Sequence, residues 1–297
     1  MKTYFVCSDI HGFYKEWMNS LKQSGFDKNN PEHILIILGD IFDRGEEPWK
    51  VYKYIKSLPE DRVVMVMGNH EYLLLELVNR KRPNEYDFHN GTYKTLICLS
   101  KDPYKVQDEW IYKNIDKYDE NELYEKSLDV YDKAKRKLYD NKKLNEIVEW
   151  IKSPRWRHYY ELGKYIFVHS FIPLELYDGF SITTLTRYKS DWRENSTLSM
   201  WYCSTWGCPY KLYLSGYFDE ELKNGKILVC GHWHTSDFYN NLLYKDEPSK
   251  QLDIYKENPI FKSDKYPGLI AIDACTALTK TVNILVIKEE EIIKYED

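Results

Sequence analysis

Five short apolar runs in this sequence each end in a small cluster of Asp, Asn and His, the residue types that hold divalent metals and move protons. The first run is followed by Ser8-Asp9-Ile10-His11-Gly12, the second by Gly39-Asp40-Ile41-Phe42-Asp43-Arg44-Gly45 and the third by Gly68-Asn69-His70-Glu71. Val168-His169-Ser170 and Gly231-His232-Trp233-His234 repeat the pattern later. Taken singly, an Asp-x-His pair or a His after a strand is more often a satisfied hydrogen-bonding residue than a ligand. Five run ends that all deliver such groups, three of them with a Gly that lets backbones crowd together, are not explained by packing. Gathered in one place, the carboxylates would repel one another unless something positive lay between them. Divalent metals supply that charge, and a mixed carboxylate, amide and imidazole set suits Mn²⁺, Fe or Zn²⁺ better than Ca²⁺ or a thiolate-held zinc. In extended backbone Asp9 and His11 would point to one side, as would His232 and His234, so that each pair would address one metal. Asp40 is the natural bridge between two ions roughly 3.5–4 Å apart, the arrangement used for in-line phosphoryl displacement.

Such residues need a scaffold that brings five chain segments together. The runs Thr3 to Cys7, Ile34 to Leu38, Val63 to Met67, Tyr165 to Val168 and Ile227 to Val229 are short, rich in β-branched residues and read as buried strands. Phe13, Trp17 and Leu21 recur at helical spacing between the first two. Between the second and third, Pro48 suits a first helical turn, and Val51, Tyr54, Ile55 and Leu58 share a face. Right-handed crossovers then make these three strands parallel neighbours. In such sheets ligands gather beyond the carboxyl ends of the strands, where the motif residues stand. From about Asn79 to Trp156 the chain turns charged and Tyr-rich. Leu123, Leu128, Tyr131, Leu138, Leu144, Ile147, Val148 and Ile151 predict one or two amphipathic helices there. This reads as a helical cap insertion over 79–156 that controls which substrate enters and leaves the chemistry alone. Gly268 to Asp273 and Val282 to Ile287 read as an antiparallel pair closing a second sheet. The tract from Ser170 to Tyr217 shows no period and is assigned no elements. The expected class is α/β, with residues 1–297 forming one domain.

In their order, Asp-x-His, Gly-Asp-x-x-Asp-Arg-Gly, Gly-Asn-His-Glu, a His after a strand and Gly-His-x-His resemble the calcineurin-like metallophosphoesterases. Asp43-Arg44-Gly45 resembles in particular the phosphoprotein phosphatases and the symmetrical diadenosine tetraphosphate hydrolases. The resemblance implies two mixed β-sheets sandwiched between helices. It implies that Asp9, His11, Asp40 and His234 hold one divalent metal (Mn, Fe or Zn), and that Asp40, Asn69, His169 and His232 hold a second. His70 resembles the family's general acid, paired with Asp43, and Arg44 resembles an arginine that grips phosphate oxygens. The chemistry is coherent: a hydroxide between two metals forms near neutral pH and attacks phosphorus without a covalent intermediate. His70 follows a ligand by one residue, so it points elsewhere and is free to protonate the leaving oxygen. Asp43 would fix its tautomer, and Arg44 offers a planar fork to two phosphate oxygens.

Ser170-Phe171 departs from the Gly-rich stretch that follows this His in protein phosphatases, and eukaryotic protein phosphatases generally lack the ligand at His234. A second phosphate-binding arginine is expected between His169 and His232, with Arg187 and Arg193 as candidates and Arg193 the one assigned to substrate binding. Ile272-Asp273-Ala274-Cys275 resembles a late Asp-Thr-Gly segment of bacterial members, with Ala in place of Gly. His33, His89 and His158 lie outside every motif and are taken as structural or solvated.

The function expected first is a metal-dependent phosphomonoesterase acting on phosphoserine or phosphothreonine proteins. The alternative is hydrolysis of dinucleoside polyphosphates, for which the aromatic tract from Trp192 to Tyr217 would supply stacking surfaces. A catalytically silent phosphate-binding scaffold is opposed by the intact ligands, acid and arginine. The net charge of −5 argues against general nucleic-acid binding. No apolar run approaches the length of a membrane span, and Met1-Lys2-Thr3 leads straight into a strand, so a cytoplasmic location is expected. The six cysteines form no paired spacing and read as reduced thiols.

Overall fold

The structure, a computed structural model, describes residues 1–176, 185–256 and 258–293. The chain opens with β1 (Thr3–Cys7), α1 (Tyr14–Gln23), β2 (His33–Ile37), α2 (Pro48–Ser57) and β3 (Val63–Val66). The three strands pair in parallel, as their right-handed crossovers require. Trp17 and Leu21 form the buried stripe of α1, and Val51 and Ile55 that of α2, whose first turn takes Pro48.

Next come α3 (Asn69–Arg80), α4 (Glu85–His89), α5 (Thr92–Leu99), α6 (Pro103–Asn114), α7 (Glu120–Tyr139) and α8 (Lys142–Ile151). Five helices therefore follow α3 where the periodicity suggested one or two. Side-chain caps divide them: Asn84, Asp102, Asp119 and Asn141 each accept a backbone N–H from the turn that they open. Such caps end one helix and start another without interrupting the apolar pattern, so period alone merges the pieces.

The chain then runs through β4 (Trp156–Arg157), β5 (Tyr159–Leu162), β6 (Tyr165–Val168), β7 (Leu174–Leu176) and β8 (Leu185–Tyr188). Four short helices follow, α9 (Trp192–Asn195), α10 (Leu198–Ser204), α11 (Pro209–Leu214) and α12 (Asp219–Lys223). The aromatic tract is thus an antiparallel β7–β8 pair and three of these helices, with residues 177–184 outside the described ones. Finally come β9 (Ile227–Cys230), α13 (Thr235–Phe238), β10 (Phe261–Ser263), β11 (Tyr266–Ala271) and β12 (Leu285–Lys288).

One mixed sheet has the order β12-β1-β2-β3-β4, and the other β10-β11-β9-β6-β5. The expected antiparallel pair in the tail does not form. β11 pairs in parallel with β9, whereas β12 crosses to the other sheet and pairs antiparallel with β1. The cause lies beyond Ala271, where Ile272 N–H bonds Cys230 O at 2.9 Å and Asp273 O accepts Thr235 N–H at 3.0 Å. Those bonds hold the chain in the second sheet past the point where a tight hairpin turn would have started.

Side-chain alternation along β1 shows how the layers are built. Tyr4 and Val6 join Ile36, Val66, Phe167, Val229 and Ile270 in a core between the two sheets. Phe5 and Cys7 face the other way, onto Trp17, Val51, Ile55 and Leu74 of the helices. A third core, with Trp192, Phe218 and Phe238, covers the far face of β6, β9 and β11. Helices, sheet, sheet and helices make four layers, which is the expected fold class. Among the described residues no helix is long and apolar enough to cross a membrane, and all six cysteines are free. Ile36 has no solvent exposure, so Ile36→Ala should cost about 2–5 kcal/mol through lost burial and an inter-sheet cavity. Urea unfolding followed by circular dichroism measures this.

Candidate functional site

β1, β2 and β3 run parallel, as do β6 and β9, so all five motif-bearing ends emerge on one edge of the sandwich. Two contacts between the sheets tie that edge together. His169 Nδ1–H donates to Leu38 O at 2.6 Å, and His232 N–H donates to Asp9 Oδ2 at 2.9 Å. Such close approach demands glycine. A side chain on Gly231 would sit 2.4 Å from Asp9 Oδ2, and one on Gly68 would sit 2.2 Å from Asp40 Oδ1.

The motif loops are not extended. Asp9 (φ 53°), His11 (49°), Asp40 (53°), Asp43 (69°), Arg44 (57°) and His232 (64°) all lie in the left-handed region. That corrects the expectation of extended backbone at these motifs, although Asp9 and His11 still converge, His11 Nε2 lying 3.8 Å from Asp9 Oδ1. Non-glycine residues rarely adopt the left-handed conformation, and its concentration here marks a site held against local preference. Glu71 is one brace. Fully buried, its carboxylate accepts the N–H groups of Asp40 (2.9 Å), Ile41 (3.0 Å) and Gly68 (2.9 Å), locking the second and third motifs together.

Asp40 Oδ2 is the hub. It lies 3.4 Å from His169 Nε2, 3.8 Å from His70 Nε2 and 3.9 Å from His11 Nε2. His11 Nε2 is also 3.8 Å from Asp9 Oδ1, and His169 Nε2 is 2.8 Å from Asn69 Oδ1 and 3.3 Å from His232 Nδ1. His11 Nδ1–H donates to Phe42 O at 2.9 Å, and His169 Nδ1–H to Leu38 O. Because a carbonyl only accepts, both rings are fixed with Nε2 turned toward the carboxylates. Among the described residues, two groups of side chains lie close enough to hold an ion, His11 with Asp40 and His70, and Asp40 with His169 and His232. His234, on the wall of the same cavity, lies 4.0 Å from Asp237 and 3.9 Å from Asp273.

Burial and neighbouring charge set the protonation of the cluster. Burial, with Asp40 close by, raises the Asp9 carboxyl. Burial and Asp9 raise Asp273 well above the carboxylate range, and burial and Asp40 push Glu71 up to about 7. Burial opposes the charge on Asp40, but His169, His70 and His11 outweigh it and hold that carboxyl well below its usual value. Burial also lowers His11, His232 and, to about 4, His234, leaving them as neutral imidazoles, the form that binds metals. For His169, burial is overcome by Asp40, which pushes the ring up to about 10. Burial is likewise overcome at His70, raised by Asp40 and Asp43. The cluster thus crowds carboxyl groups that disfavour one another's charge around imidazoles held neutral at His11, His232 and His234 and protonated at His169, and a divalent ion would take the place of those protons.

His70 Nδ1–H donates to Asp43 Oδ2 at 2.7 Å, and its Nε2 lies 3.4 Å from the Arg44 guanidinium. The cavity of about 510 Å³ above these residues is lined by Asp9, His11, Asp40, Asn69, His70, Arg44, His232 and His234. Four further residues at its wall were not singled out from the sequence for this site: Asn90, Trp206, Trp233 and Asp237. His89, expected to be structural or solvated, is exposed and stands at the cavity wall as well. Trp206 and Trp233 both meet the His232 ring edge to face, at 6.1 and 6.4 Å between centroids. Arg193 and Arg187 are elsewhere. Arg193 forks onto Glu221 at 2.8 and 2.9 Å, reaches Glu161 and lies over Trp192, while Arg187 pairs with Glu175. Arg193 therefore already has partners, the buried Glu221 among them, and Arg44 is the single arginine lining the cavity among the described residues.

A family model described as calcineurin-like phosphoesterase matches residues 2–236. The symmetrical bis(5'-nucleosyl)-tetraphosphatase of Buchnera aphidicola subsp. Acyrthosiphon pisum (strain 5A) is 42% identical over 91 residues. That match covers 29% of this chain and 32% of the relative. The enzyme of the same name from Proteus mirabilis (strain HI4320) is 34% identical over 88 residues, 29% of this chain and 31% of its own. The chain therefore spans about a third of the length of these curated relatives. The cold-active protein-tyrosine phosphatase of a psychrophilic Shewanella superposes on 97% of this chain and 76% of its own, at a TM-score of 0.49 and 15% identity.

Glu71→Ala would leave three buried N–H groups without an acceptor, each costing roughly 1–3 kcal/mol. Denaturant titration of this variant should show a loss of that order, whereas an unchanged midpoint would mean that the second and third motifs are held by other contacts.

Proposed function

The chain belongs to the calcineurin-like phosphoesterases, and from that premise we propose that it is a metal-dependent phosphoester hydrolase working at the Asp40 cluster. The observation that carries this reading is one carboxylate oxygen, Asp40 Oδ2, within 4 Å of imidazole nitrogens from three separate chain segments. The donor set of carboxylates, an amide oxygen and neutral imidazoles suits borderline divalent ions. Asp9, His11, Asp40 and His234 would hold one ion, and Asp40, Asn69, His169 and His232 a second. Bound there, such ions lower the pKa of water and neutralise charge developing on phosphoryl oxygens.

The remaining work falls to the chain. Arg44 projects its guanidinium into the cavity and is placed to grip two phosphate oxygens. His70 has its Nδ1–H tied to Asp43, so its Nε2, facing the cavity beside Arg44, is the atom that hands a proton to the leaving oxygen. Asp43 keeps that tautomer and stabilises the charged ring.

A phosphate chain carrying a nucleoside is the substrate class best supported. Trp206 and Trp233 bring aromatic surface to the cavity wall beside His232, as stacking on a base would require. Both curated relatives described above carry names for cleavage of dinucleoside tetraphosphates.

Chelation should abolish turnover, Mn²⁺ should restore it, and Asp40→Asn should lose both activity and bound metal; full activity in chelator would overturn the metal reading. His70→Asn should retain metal but lose roughly 10²–10⁴-fold on substrates with poor leaving groups, and far less on p-nitrophenyl phosphate. In a Mn²⁺-supplemented panel, diadenosine tetraphosphate should be preferred over phosphoserine and phosphothreonine peptides. Turnover of the peptides alone would reverse the substrate assignment.

A further inference from the structure

Asp43 is fully buried, and its carboxylate takes hydrogen bonds from a helix of the segment between α3 and β4. Thr92 Oγ1 donates to Oδ2 at 2.7 Å, beside His70, and Thr95 Oγ1 donates to Oδ1 at 2.7 Å. The Thr95 hydroxyl also accepts the Asp43 N–H at 2.8 Å. One hydroxyl therefore fastens both the main chain and the side chain of a residue whose φ of 69° is left-handed. Both threonines are themselves without solvent exposure and lie one turn apart on α5, on the same buried stripe as Leu96 and Leu99. Burying two hydroxyls is costly unless they are bonded, and packing alone would be served by valine at either position. The turn that leads into α5 is equally tight, since a side chain on Gly91 would come within 2.6 Å of the Arg44 amide nitrogen.

We propose that Thr92 and Thr95 are positioning residues for the proposed proton donor. They fix both oxygens of Asp43, so that the carboxylate presents Oδ2 to His70 Nδ1–H and holds His70 Nε2 toward the cavity. The inference rests on His70 acting as the acid. A carboxylate held by His70 alone is free to turn about its own side-chain bonds, and the ring that it orients turns with it. Displacement of a catalytic group by about an ångström costs up to roughly a hundredfold in rate. On this reading α5 of the segment over 79–156 would support the acid, so that the segment would not leave the chemistry alone.

Thr92→Val, Thr95→Val and the double variant, loaded with Mn²⁺, test this on p-nitrophenyl phosphate and on phenyl phosphate, whose leaving group needs a proton far more. Turnover of phenyl phosphate should fall about 10- to 100-fold with KM within about twofold of wild type, while p-nitrophenyl phosphate turnover and Mn²⁺ content stay near wild type. Thr92→Ser and Thr95→Ser should restore phenyl phosphate turnover. Thr95→Val also strands the Asp43 N–H, so Thr92→Val, which leaves that bond intact, decides the matter if the other variant fails to fold. His70→Asn run alongside separates the two readings. Leaving-group dependence in His70→Asn but not in Thr92→Val would overturn the positioning role and spare the acid. Equal losses on both substrates in His70→Asn would remove the acid and the positioning role together. A Thr92→Val variant that loses both substrates equally, or loses its metal, would show a structural role only.

Discussion

Asp9, Asp40, Glu71 and Asp273 are buried carboxyl groups packed against one another, and their repulsion is the constraint around which the rest of the structure is arranged. Each answer to it has a structural form. Three peptide N–H groups turn toward Glu71, three imidazoles ring Asp40, and Asp273 accepts the Cys275 N–H at 2.7 Å. Arranging those dipoles forces the loops into left-handed backbone that their residues disfavour. Loop-to-loop bonds such as His11 N–H to Asp40 O at 2.9 Å and Gly45 N–H to His11 O at 2.7 Å keep them there. The strain is sustainable because three apolar cores sit directly beneath.

Neither sheet makes the site alone. The first supplies Asp9, Asp40 and Asn69 from strand ends that pairing already places side by side, and the second supplies His169, His232 and His234. Alternation along β1, β2, β6 and β9 sends half of each strand into the core between the sheets, and that core decides how close the two sets come. The Leu38 carbonyl, at the end of β2, and the His169 ring, at the end of β6, meet across it.

Most of the cluster was legible in the sequence because parallel strands of an α/β fold display whatever follows them on a single edge. Residue type at the end of an apolar run therefore carried position as well as chemistry. What could not be read was anything fixed by partners distant along the chain. Arg193 satisfied the requirement of type and neighbourhood, yet Glu161 and Glu221 claim it from β5 and α12. The crossing of β12 to the first sheet depends on which edges stand open in space, which local alternation does not encode. Thr92 and Thr95 left a fainter trace: two hydroxyls at i and i+3 on the apolar stripe of a helix signal a buried acceptor, but not its identity. The left-handed loops were not read for a similar reason: Asp and His tolerate that conformation better than most non-glycine residues, but which of them adopt it is set by contacts from other loops.

The pairing of β1 with β12 has a consequence for the birth of the protein. Thr3 lies opposite Lys288, and Glu289 N–H bonds Lys2 O at 3.0 Å, so β1 is paired on that edge by a strand far along the chain. During synthesis the outer edge of β1 stands open, a row of unpaired N–H and C=O groups able to template pairing with other chains. That exposure lasts until residue 288 has cleared the ribosome, on the order of tens of seconds at ordinary elongation rates. The strand order, and not the local sequence of β1, thus sets how long that edge stays unpaired during synthesis.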